Sequence, residues 1–316
     1  QKTAYEIFSG DWSSDVCFVG SLGAFVLALL KPRTEPMSER QQAALAAVRK
    51  TFNFAHRGLF DNVTVPENSL TAFKKAVDHG YGFEFDVQLT ADNKLAISHD
   101  DTICARLYEP SPKHSVDIIG KRISEVTYEA ITENVVFKTD KAQTICLLED
   151  VLAAVGGRVP IIVELKDQHD RAANQRLCEL VEPLLRAYSG VATVQSFNPL
   201  VVRAFSLLPG AAERYVLGQL GCHLKPAELP SAPARLAVAH FLCDAVSRPH
   251  YLACCVSEYD RSLAALAARV WPGTPRVMWT ARTPEVYEKF RAAGVDGIIF
   301  EGFEPAPYSA DVHHQQ

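Results

Sequence analysis

Short β-rich runs alternate with helical stretches between residues 52 and 300, and this alternation restricts the fold more than any other feature of the sequence. Strands that are separated by helices usually pair in parallel, because each helix returns the chain to the same end of the sheet. The pattern therefore predicts a parallel α/β fold. Candidate strands lie at residues 52–55, 82–88, 94–98, 159–165, 191–195, 213–217, 237–242, 252–256, 275–279 and 296–300. Helical patterns cover residues 69–79, 148–155, 171–188, 199–208, 260–270 and 284–293.

The candidate strands outnumber the eight of a closed barrel. One or two of them must therefore be loops or lie outside such a barrel. No GxGxxG or GxxxxGK[ST] motif opens a helix, which disfavours the Rossmann and P-loop nucleotide-binding folds. Residues 107–123, which include Pro110 and Pro112, are typical of a long loop that could act as a lid.

The composition is that of a globular protein, with 48% hydrophobic and 22% charged residues in 316. The net charge of −5 disfavours general nucleic-acid binding, so an anionic substrate would need local cations or a metal. The eight cysteines form no CxxC pair, which disfavours a zinc site. We interpret them as thiols of a reducing compartment.

Residues 1–50 are expected to form an N-terminal segment, with a possible truncated membrane helix at residues 17–30 and a linker after it, that is separate from a domain at residues 51–316. Residues 1–16 fit no element that follows, and they resemble a translated sequencing adapter more than a fold. Residues 17–30 are continuously apolar but shorter than the roughly 20 residues of a membrane span. Three interpretations compete: a signal-peptide core, a buried helix, or the end of a span whose start is lost.

The third interpretation is favoured for this apolar segment. No small-residue cleavage pattern follows it, which disfavours a signal peptide. The polar stretch 34–50 separates it from the domain, which disfavours a buried helix. Lys31 and Arg33 follow the segment, and this positive charge would place the domain on the cytoplasmic side of a membrane.

Acidic side chains occupy alternate positions of two candidate strands. Glu84 and Asp86 share one face of their strand, as Glu164 and Lys166 do of theirs. Neighbouring buried carboxylates repel each other and lose hydration, so they need a cation, and Mg²⁺ or Ca²⁺ suits hard oxygen ligands. Glu164 can add a third carboxylate, and Lys166 can meet a phosphate oxygen. The alternatives are a solvated edge strand and an ordinary ion pair at a strand end.

Histidines end two further candidate strands. His56 is followed by Arg57 and Gly58, a combination that fits a tight phosphate-binding corner. His99 and His56 could act as a general acid and a general base, although either one alone could be structural. Near the first helix, Glu67 could reach the same site. Trp279, at the end of a later strand, could form a wall for an alcohol or lipid moiety or simply pack in the core.

The ordered set of these motifs resembles the glycerophosphodiester phosphodiesterase family. The closest resemblance is to bacterial members with one N-terminal membrane helix. The matching segments run in family order over residues 53–303: His56-Arg57-Gly58, Pro66-Glu67-Asn68-Ser69, Glu84-x-Asp86, Leu89-Thr90-x-Asp92, His99-Asp100, Leu148-Glu149, Glu164-x-Lys166, Ser196-Phe197, Trp279-Thr280 and Gly294-Val295-Asp296-Gly297.

The resemblance implies a (β/α)8 TIM barrel of the phospholipase-C-like phosphodiesterase type, with its site at the C-terminal ends of the strands. It implies an insertion after the third strand, which suits residues 101–146. The implied roles are metal binding by Glu84, Asp86 and Glu164, acid/base catalysis by His56 and His99, and phosphate binding by Arg57 and Lys166.

Two departures from the family pattern occur late in the chain. Phe300-Glu301 replaces the usual Thr-Asp, and Ala281-Arg282 replaces the usual Asn near the Trp-Thr motif. Both are expected to touch the wall of the substrate site and so to affect the choice of alcohol.

The implied activity is metal-dependent hydrolysis of small glycerophosphodiesters to an alcohol and sn-glycerol 3-phosphate. Alternatives are a lysophospholipase D-type enzyme and a catalytically inactive barrel that binds phosphodiesters. A glycosidase is disfavoured because it would leave both histidines and Lys166 without a role. The protein is expected in the cytoplasm or at the cytoplasmic face of a membrane, associated through its N-terminal segment. The sequence does not predict the oligomeric state.

Overall fold

The computed structural model describes residues 23–112 and 116–308, and within them eight parallel strands close into a barrel. The predictions for residues 1–22 lie outside the described residues. The strands of the protein, numbered along the chain, are β1 Asn53–His56, β2 Gly82–Leu89, β3 Leu95–Ile97, β4 Tyr108–Pro110, β5 Val135–Phe137, β6 Ile161–Leu165, β7 Ala192–Ser196, β8 Val216–Gly221, β9 Tyr251–Cys255, β10 Arg276–Ala281 and β11 Gly297–Phe300.

Helices follow most of the barrel strands and cover the outside of the barrel. They are α1 Glu39–Thr51, α2 Leu70–Asp78, α3 Tyr128–Asn134, α4 Leu148–Val155, α5 Arg171–Ala187, α6 Pro199–Ser206, α7 Ala211–Arg214, α8 Ala232–Ala239, α9 Asp244–Ser247, α10 Ala264–Val270 and α11 Pro284–Ala292. The predicted (β/α)8 TIM barrel is confirmed, with strand order β1-β2-β6-β7-β8-β9-β10-β11 and β11 returning to β1.

Two of the ten candidate strands lie outside the barrel, as the strand count required. Residues 94–98 contain β3, which pairs antiparallel with the outer end of β2. Residues 237–242 are not a strand, because α8 continues to Ala239 and a turn follows it. The candidate at 213–217 begins too early, since α7 precedes β8. At residues 237–242 the apolar sequence AVAHFL allows helix or strand, and packing decides between them.

Helix α1 closes the N-terminal end of the barrel, so the structure differs from the expected linker at residues 34–50. The helix begins at Ser38, whose side chain and that of Gln41 form a reciprocal capping box. Ala44 and Val48 pack with Phe54 in the cluster that fills the lower barrel interior. The Gln41 amide donates to the Tyr215 carbonyl at 2.7 Å.

The described part of the N-terminal apolar segment contacts the barrel. Residues 23–29 are helical, and Leu30 is buried in a cluster with Phe52 and Phe241. Among residues 23–112 and 116–308, no helix is both long enough and apolar enough to cross a bilayer. A membrane span and a cytoplasmic location stay predictions.

The insertion at residues 101–146 packs around a small core of its own. Strands β4 and β5 pair antiparallel, and α3 packs beside β5. Residues 107–123 are a loop only in part, because β4 occupies Tyr108–Pro110 and the 3-10 helix Ile123–Glu125 begins at their end; residues 113–115 lie outside the described residues, and a role as a lid stays a prediction. The buried apolar side chains of this core are Ala96, Ile103, Tyr108, Ile118, Ile123, Val126, Ile131, Val135, Phe137 and Ile145.

Candidate active site

Three carboxylates converge at the C-terminal mouth of the barrel. Glu84 and Asp86 point inward from β2, and Glu164 points inward from β6, where its register partner is Asp86. Their side-chain oxygens lie within 4.8 Å of one another. The three residues are only 2%, 1% and 7% exposed. The predicted clustering of these acidic side chains is therefore confirmed by the geometry.

Burial and mutual repulsion make this cluster electrostatically costly without a cation. Burial, with Asp86 and Glu164 adding to it, raises the pKa of Glu84 well above its usual value. Burial acts in the same direction on Asp86, but His99, Lys166 and Arg57 outweigh it and hold the pKa of Asp86 below its usual value. Three buried carboxylates with only oxygen donors fit a hard divalent cation, and Glu84, Asp86 and Glu164 are the residues that could hold it.

Two cationic side chains flank the carboxylates. The Lys166 ammonium lies 3.1 Å from Glu164 Oε1 and 3.6 Å from Asp86 Oδ1. Arg57 Nε lies 3.8 Å from Asp86 Oδ2, and within the described residues this buried nitrogen has no hydrogen-bond partner. Both predicted phosphate-binding residues therefore lie at the cluster, where they offset part of its charge.

The corner after β1 brings Arg57 into the site. Arg57 and Gly58 both have positive φ, 54° and 83°. A Cβ on Gly58 would lie 2.7 Å from the Ala72 side chain, so the turn needs glycine there. The next segment adds Asn68, whose amide donates to Asp86 Oδ2 at 3.0 Å, while Ser69 caps α2. Arg57, in the corner, and Asn68, after it, thus both approach the Asp86 carboxylate.

His56 is held by a carboxylate that the sequence did not identify as its partner. Its Nδ1 lies 2.6 Å from Glu301 Oε2, and its Nε2 faces the cluster 3.9 Å from Glu84 Oε2. Because a carboxylate accepts hydrogen bonds, Nδ1 carries the proton and Nε2 presents its lone pair to the site. Burial lowers the pKa of His56, although the Glu301 hydrogen bond opposes this effect.

The two departures from the family pattern interact with each other, which corrects their expected placement. Glu301 contacts His56 and Arg282, and Arg282 NH2 lies 3.1 Å from Glu301 Oε2. Burial would raise the pKa of Glu301, but the His56 hydrogen bond, with Arg282 assisting, lowers it to about 2. Glu301 is therefore an anion that orients His56, and its role is not confined to the substrate wall.

His99 lies on the outer side of the mouth. Its Nδ1 is 2.8 Å from Asp100 Oδ1, and its side chain is 36% exposed. Asp100 in turn lies 3.4 Å from Arg106 NH2. His99 is thus a more accessible histidine than His56, with its own carboxylate partner.

Arg106 is a second residue that sequence patterns missed. It belongs to the insertion, and its guanidinium binds both oxygens of Glu67 at 2.8 and 3.0 Å. Glu67 also accepts from Arg57 at 2.6 Å, so it joins the insertion to the phosphate-binding corner. Burial opposes ionisation of Glu67, but Arg106 and Arg57 lower its pKa to about 2. No motif marks Arg106, because only the fold of the insertion brings it to Glu67.

Trp279 forms part of the barrel wall at the mouth. Its Nε1 donates to the Ala253 carbonyl at 3.0 Å, and its ring meets that of Phe197 edge to face at 5.5 Å. The indole is only partly buried. This position agrees with both sequence-based interpretations, since one edge packs in the barrel and the rest borders the mouth.

A family model for the glycerophosphoryl diester phosphodiesterase family matches residues 56–303. A glycerophosphodiester phosphodiesterase from Caldanaerobacter subterraneus is 51% identical over 55 residues, which are 17% of this chain and 22% of that protein. One from Bacillus altitudinis is 33% identical over 118 residues, which are 36% of this chain and 43% of that protein. The chain thus spans less than half the length of these curated relatives.

Solved structures share the fold over a larger part of the chain. A glycerophosphodiester phosphodiesterase from Parabacteroides distasonis has a TM-score of 0.59 at 22% identity and covers 79% of this chain and 92% of its own. A phosphodiesterase from Oleispira antarctica, in complex with the product sn-glycerol-3-phosphate, has a TM-score of 0.59 at 17% identity. The match covers 78% of this chain and 92% of that protein's chain. Because the family model covers most of the chain, including the whole carboxylate and histidine site, the protein belongs to the glycerophosphoryl diester phosphodiesterase family.

Proposed function

We propose that the protein hydrolyses small glycerophosphodiesters to an alcohol and sn-glycerol 3-phosphate. The observation that carries this proposal is the joint position of three carboxylates, Lys166 and two histidines at one barrel mouth, in the order of this family. The phosphodiesterase from Oleispira antarctica, which shares the fold, was solved with sn-glycerol-3-phosphate.

A divalent cation, for which we propose Mg²⁺ or Ca²⁺, would be held by Glu84, Asp86 and Glu164. When bound, it would neutralise the carboxylates and stabilise the negative charge of the phosphoryl group. Lys166 and Arg57 lie beside the same carboxylates and would bind the phosphate oxygens.

The two histidines would move the protons. His56 is mostly buried, has a lowered pKa and points Nε2 at the cluster, so it suits the general base for the attacking hydroxyl of water or of the substrate glycerol. His99 is more exposed and is paired with Asp100, so it suits the general acid that protonates the leaving alcohol. Trp279 would border the alcohol group.

The test is an assay of sn-glycerol 3-phosphate release from glycerophosphocholine and glycerophosphoethanolamine, with lysophosphatidylcholine in parallel. We expect release from the two water-soluble diesters, loss of activity with a chelator, and recovery when Mg²⁺ or Ca²⁺ is added back. Choline release from lysophosphatidylcholine alone would instead identify a lysophospholipase D. No turnover of any substrate with Mg²⁺, Ca²⁺ or Mn²⁺ would contradict the proposal and favour an inactive barrel.

The Glu301 contact leads to a prediction about kcat. We expect Glu301→Gln to lower kcat by about 10–100-fold, as is typical when the carboxylate that orients a functional histidine is removed. The KM should change little, because Glu301 contacts His56 and Arg282. Glu301→Asp should restore part of kcat if the negative charge is what matters.

Arg282→Gln is the matched comparison, because Arg282 touches Glu301 from the solvent side with a side chain that is 61% exposed. Its effect on kcat should be smaller than that of Glu301→Gln. A rise of KM as large as the fall of kcat in the Glu301 variants would instead indicate that Glu301 contacts the substrate.

A further inference from the structure

A second group of metal-binding side chains lies at the same barrel mouth, away from the three carboxylates. Cys222, Cys255 and Glu258 place a sulfur, a sulfur and a carboxylate oxygen within 4.8 Å of one another. β8 and β9 are neighbours in which Gly221 is paired with Cys254, so Cys222 and Cys255 come next in the same register. The lack of a CxxC pair disfavoured a zinc site in the sequence, but these two cysteines lie in different β-α units, and only the fold brings them together.

Two histidines lie on one side of this group. His223 donates to Glu258 Oε2 from its backbone nitrogen at 2.6 Å, and its Nδ1 lies 2.7 Å from the same oxygen. The ring of His240 meets that of His223 edge to face at 5.4 Å. His240 Nδ1 is buried and has no hydrogen-bond partner among the described residues. The two contacts from His223 therefore orient the Glu258 carboxylate, as neighbouring residues usually do for a metal ligand.

The donor set differs from that of the first cluster. Thiolate sulfur is a soft ligand that selects zinc and similar ions, whereas Mg²⁺ and Ca²⁺ take oxygen ligands. We propose that Cys222, Cys255 and Glu258 form a second metal site that takes a thiophilic divalent cation, with Zn²⁺ as its natural occupant. Three protein ligands leave one position of a tetrahedral zinc ion for water or an added ligand.

The group is accessible to a metal ion. Binding would release the protons of the two thiols, because thiolate is the form that ligates a metal. Cys222, Cys255 and Glu258 are each only partly buried, which leaves the group open to a metal ion in solution.

The position of the site gives it a structural consequence. In the strand order β9 lies opposite β2, so the thiols and the carboxylate cluster occupy opposite walls of the mouth. Trp279 is the register partner of Cys255, and its carbonyl accepts from Val256 at 2.7 Å. A bound ion would therefore join the segments that follow β8 and β9 directly beside the tryptophan wall.

Cobalt is the probe that tests this proposal, because Co²⁺ bound to thiolate gives a charge-transfer absorption that Co²⁺ bound only to carboxylates lacks. The protein, with all 316 residues, is freed of metal, kept reduced and titrated with Co²⁺. We expect the charge-transfer band in the wild type and its loss in Cys222→Ser and Cys255→Ser. Zn²⁺ added afterwards should displace Co²⁺ and abolish the band.

Two control variants keep the test specific. Cys104→Ser changes another partly buried thiol, outside this group, and should keep the band. Asp86→Asn alters the first cluster and should also keep it. Circular dichroism establishes that each variant is folded, and a rise of the melting temperature with Zn²⁺ that is larger in the wild type than in Cys255→Ser would support the site independently.

Three results would overturn the proposal. One is the absence of the band in reduced, folded wild type. Another is a band that persists in both cysteine variants. The third is a thiol count showing that Cys222 and Cys255 stay joined as a disulfide under reductant and exclude cobalt.

Discussion

Replacing His56 or His99 with alanine is expected to lower kcat by about 10²–10⁴-fold in each case, the usual contribution of a positioned general acid or base. His56 is mostly buried beside Glu84 and is oriented by Glu301, while His99 borders the mouth beside Asp100. The kcat of the double variant should be only slightly lower than that of the less active single variant, because the two histidines act in one proton-transfer sequence.

The leaving group separates the two proposed roles. A glycerophosphodiester with a p-nitrophenol leaving group needs little help from a general acid. With this substrate, we expect His99→Ala to recover most of its lost activity and His56→Ala to recover none. The reverse result would exchange the acid and base assignments while keeping the pair.

His79→Ala is the matched control for these variants. His79 lies at the end of α2, outside the barrel, with a side chain that is 41% exposed. Its replacement should leave kcat unchanged with either substrate. Near wild-type activity in His56→Ala or His99→Ala would remove that residue from the mechanism.

Much of the site could be predicted because it depends on local chain geometry. Alternation along a strand places Glu84 and Asp86 on one face, and parallel pairing then puts Glu164 beside Asp86. The glycine corner and its arginine are likewise local, since Gly58 permits a turn that brings Arg57 to the strand end. The positions of these residues could be predicted from the alternation of side chains along a strand and from the parallel pairing of the strands.

Other contacts depend on segments that are far apart in the chain. Arg106 reaches Glu67 only because the insertion folds around its own apolar core. The sequence predicts a linker at residues 34–50 because the buried residues of helix α1, Gln41, Ala44, Leu45 and Val48, form only a short apolar stripe in a polar stretch, and the barrel end that this stripe covers is not evident from the sequence. Such contacts have no periodic signal and require the tertiary structure.

The pair Glu301–Arg282 shows the same limit in the family pattern. Each residue alone was a departure with no evident compensation. Together they form an ion pair in which Arg282 offsets the charge of the carboxylate that orients His56. Two departures that lie 19 residues apart in the sequence are therefore direct neighbours in space.

Glu84→Gln is expected to lower kcat by about 10³-fold and, at the same time, to stabilise the metal-free protein. The loss of activity follows from removing one ligand of a cation that supplies several kcal/mol of transition-state stabilisation, at about 1.4 kcal/mol for each factor of ten. The gain in stability follows because Glu84 is buried and repelled by Asp86 and Glu164, so that its charge is costly without an ion. Glutamine keeps the side-chain oxygen that faces the Arg57 backbone nitrogen at 3.4 Å.

Melting temperatures in chelator and in Mg²⁺ or Ca²⁺ measure both effects. For a domain of this size, about 1 kcal/mol corresponds to about 2–4 °C, and we expect the variant in chelator to melt at least that much above the wild type. Added cation should raise the wild-type melting temperature by mass action and should raise that of the variant much less. Glu133→Gln, the same substitution at an exposed position of α3, should change neither activity nor metal response. If Glu84→Gln melts below the wild type in chelator, Lys166 and Arg57 alone compensate the negative charge of the carboxylates. If Glu84→Gln retains its activity, Glu84 is not a ligand of the cation.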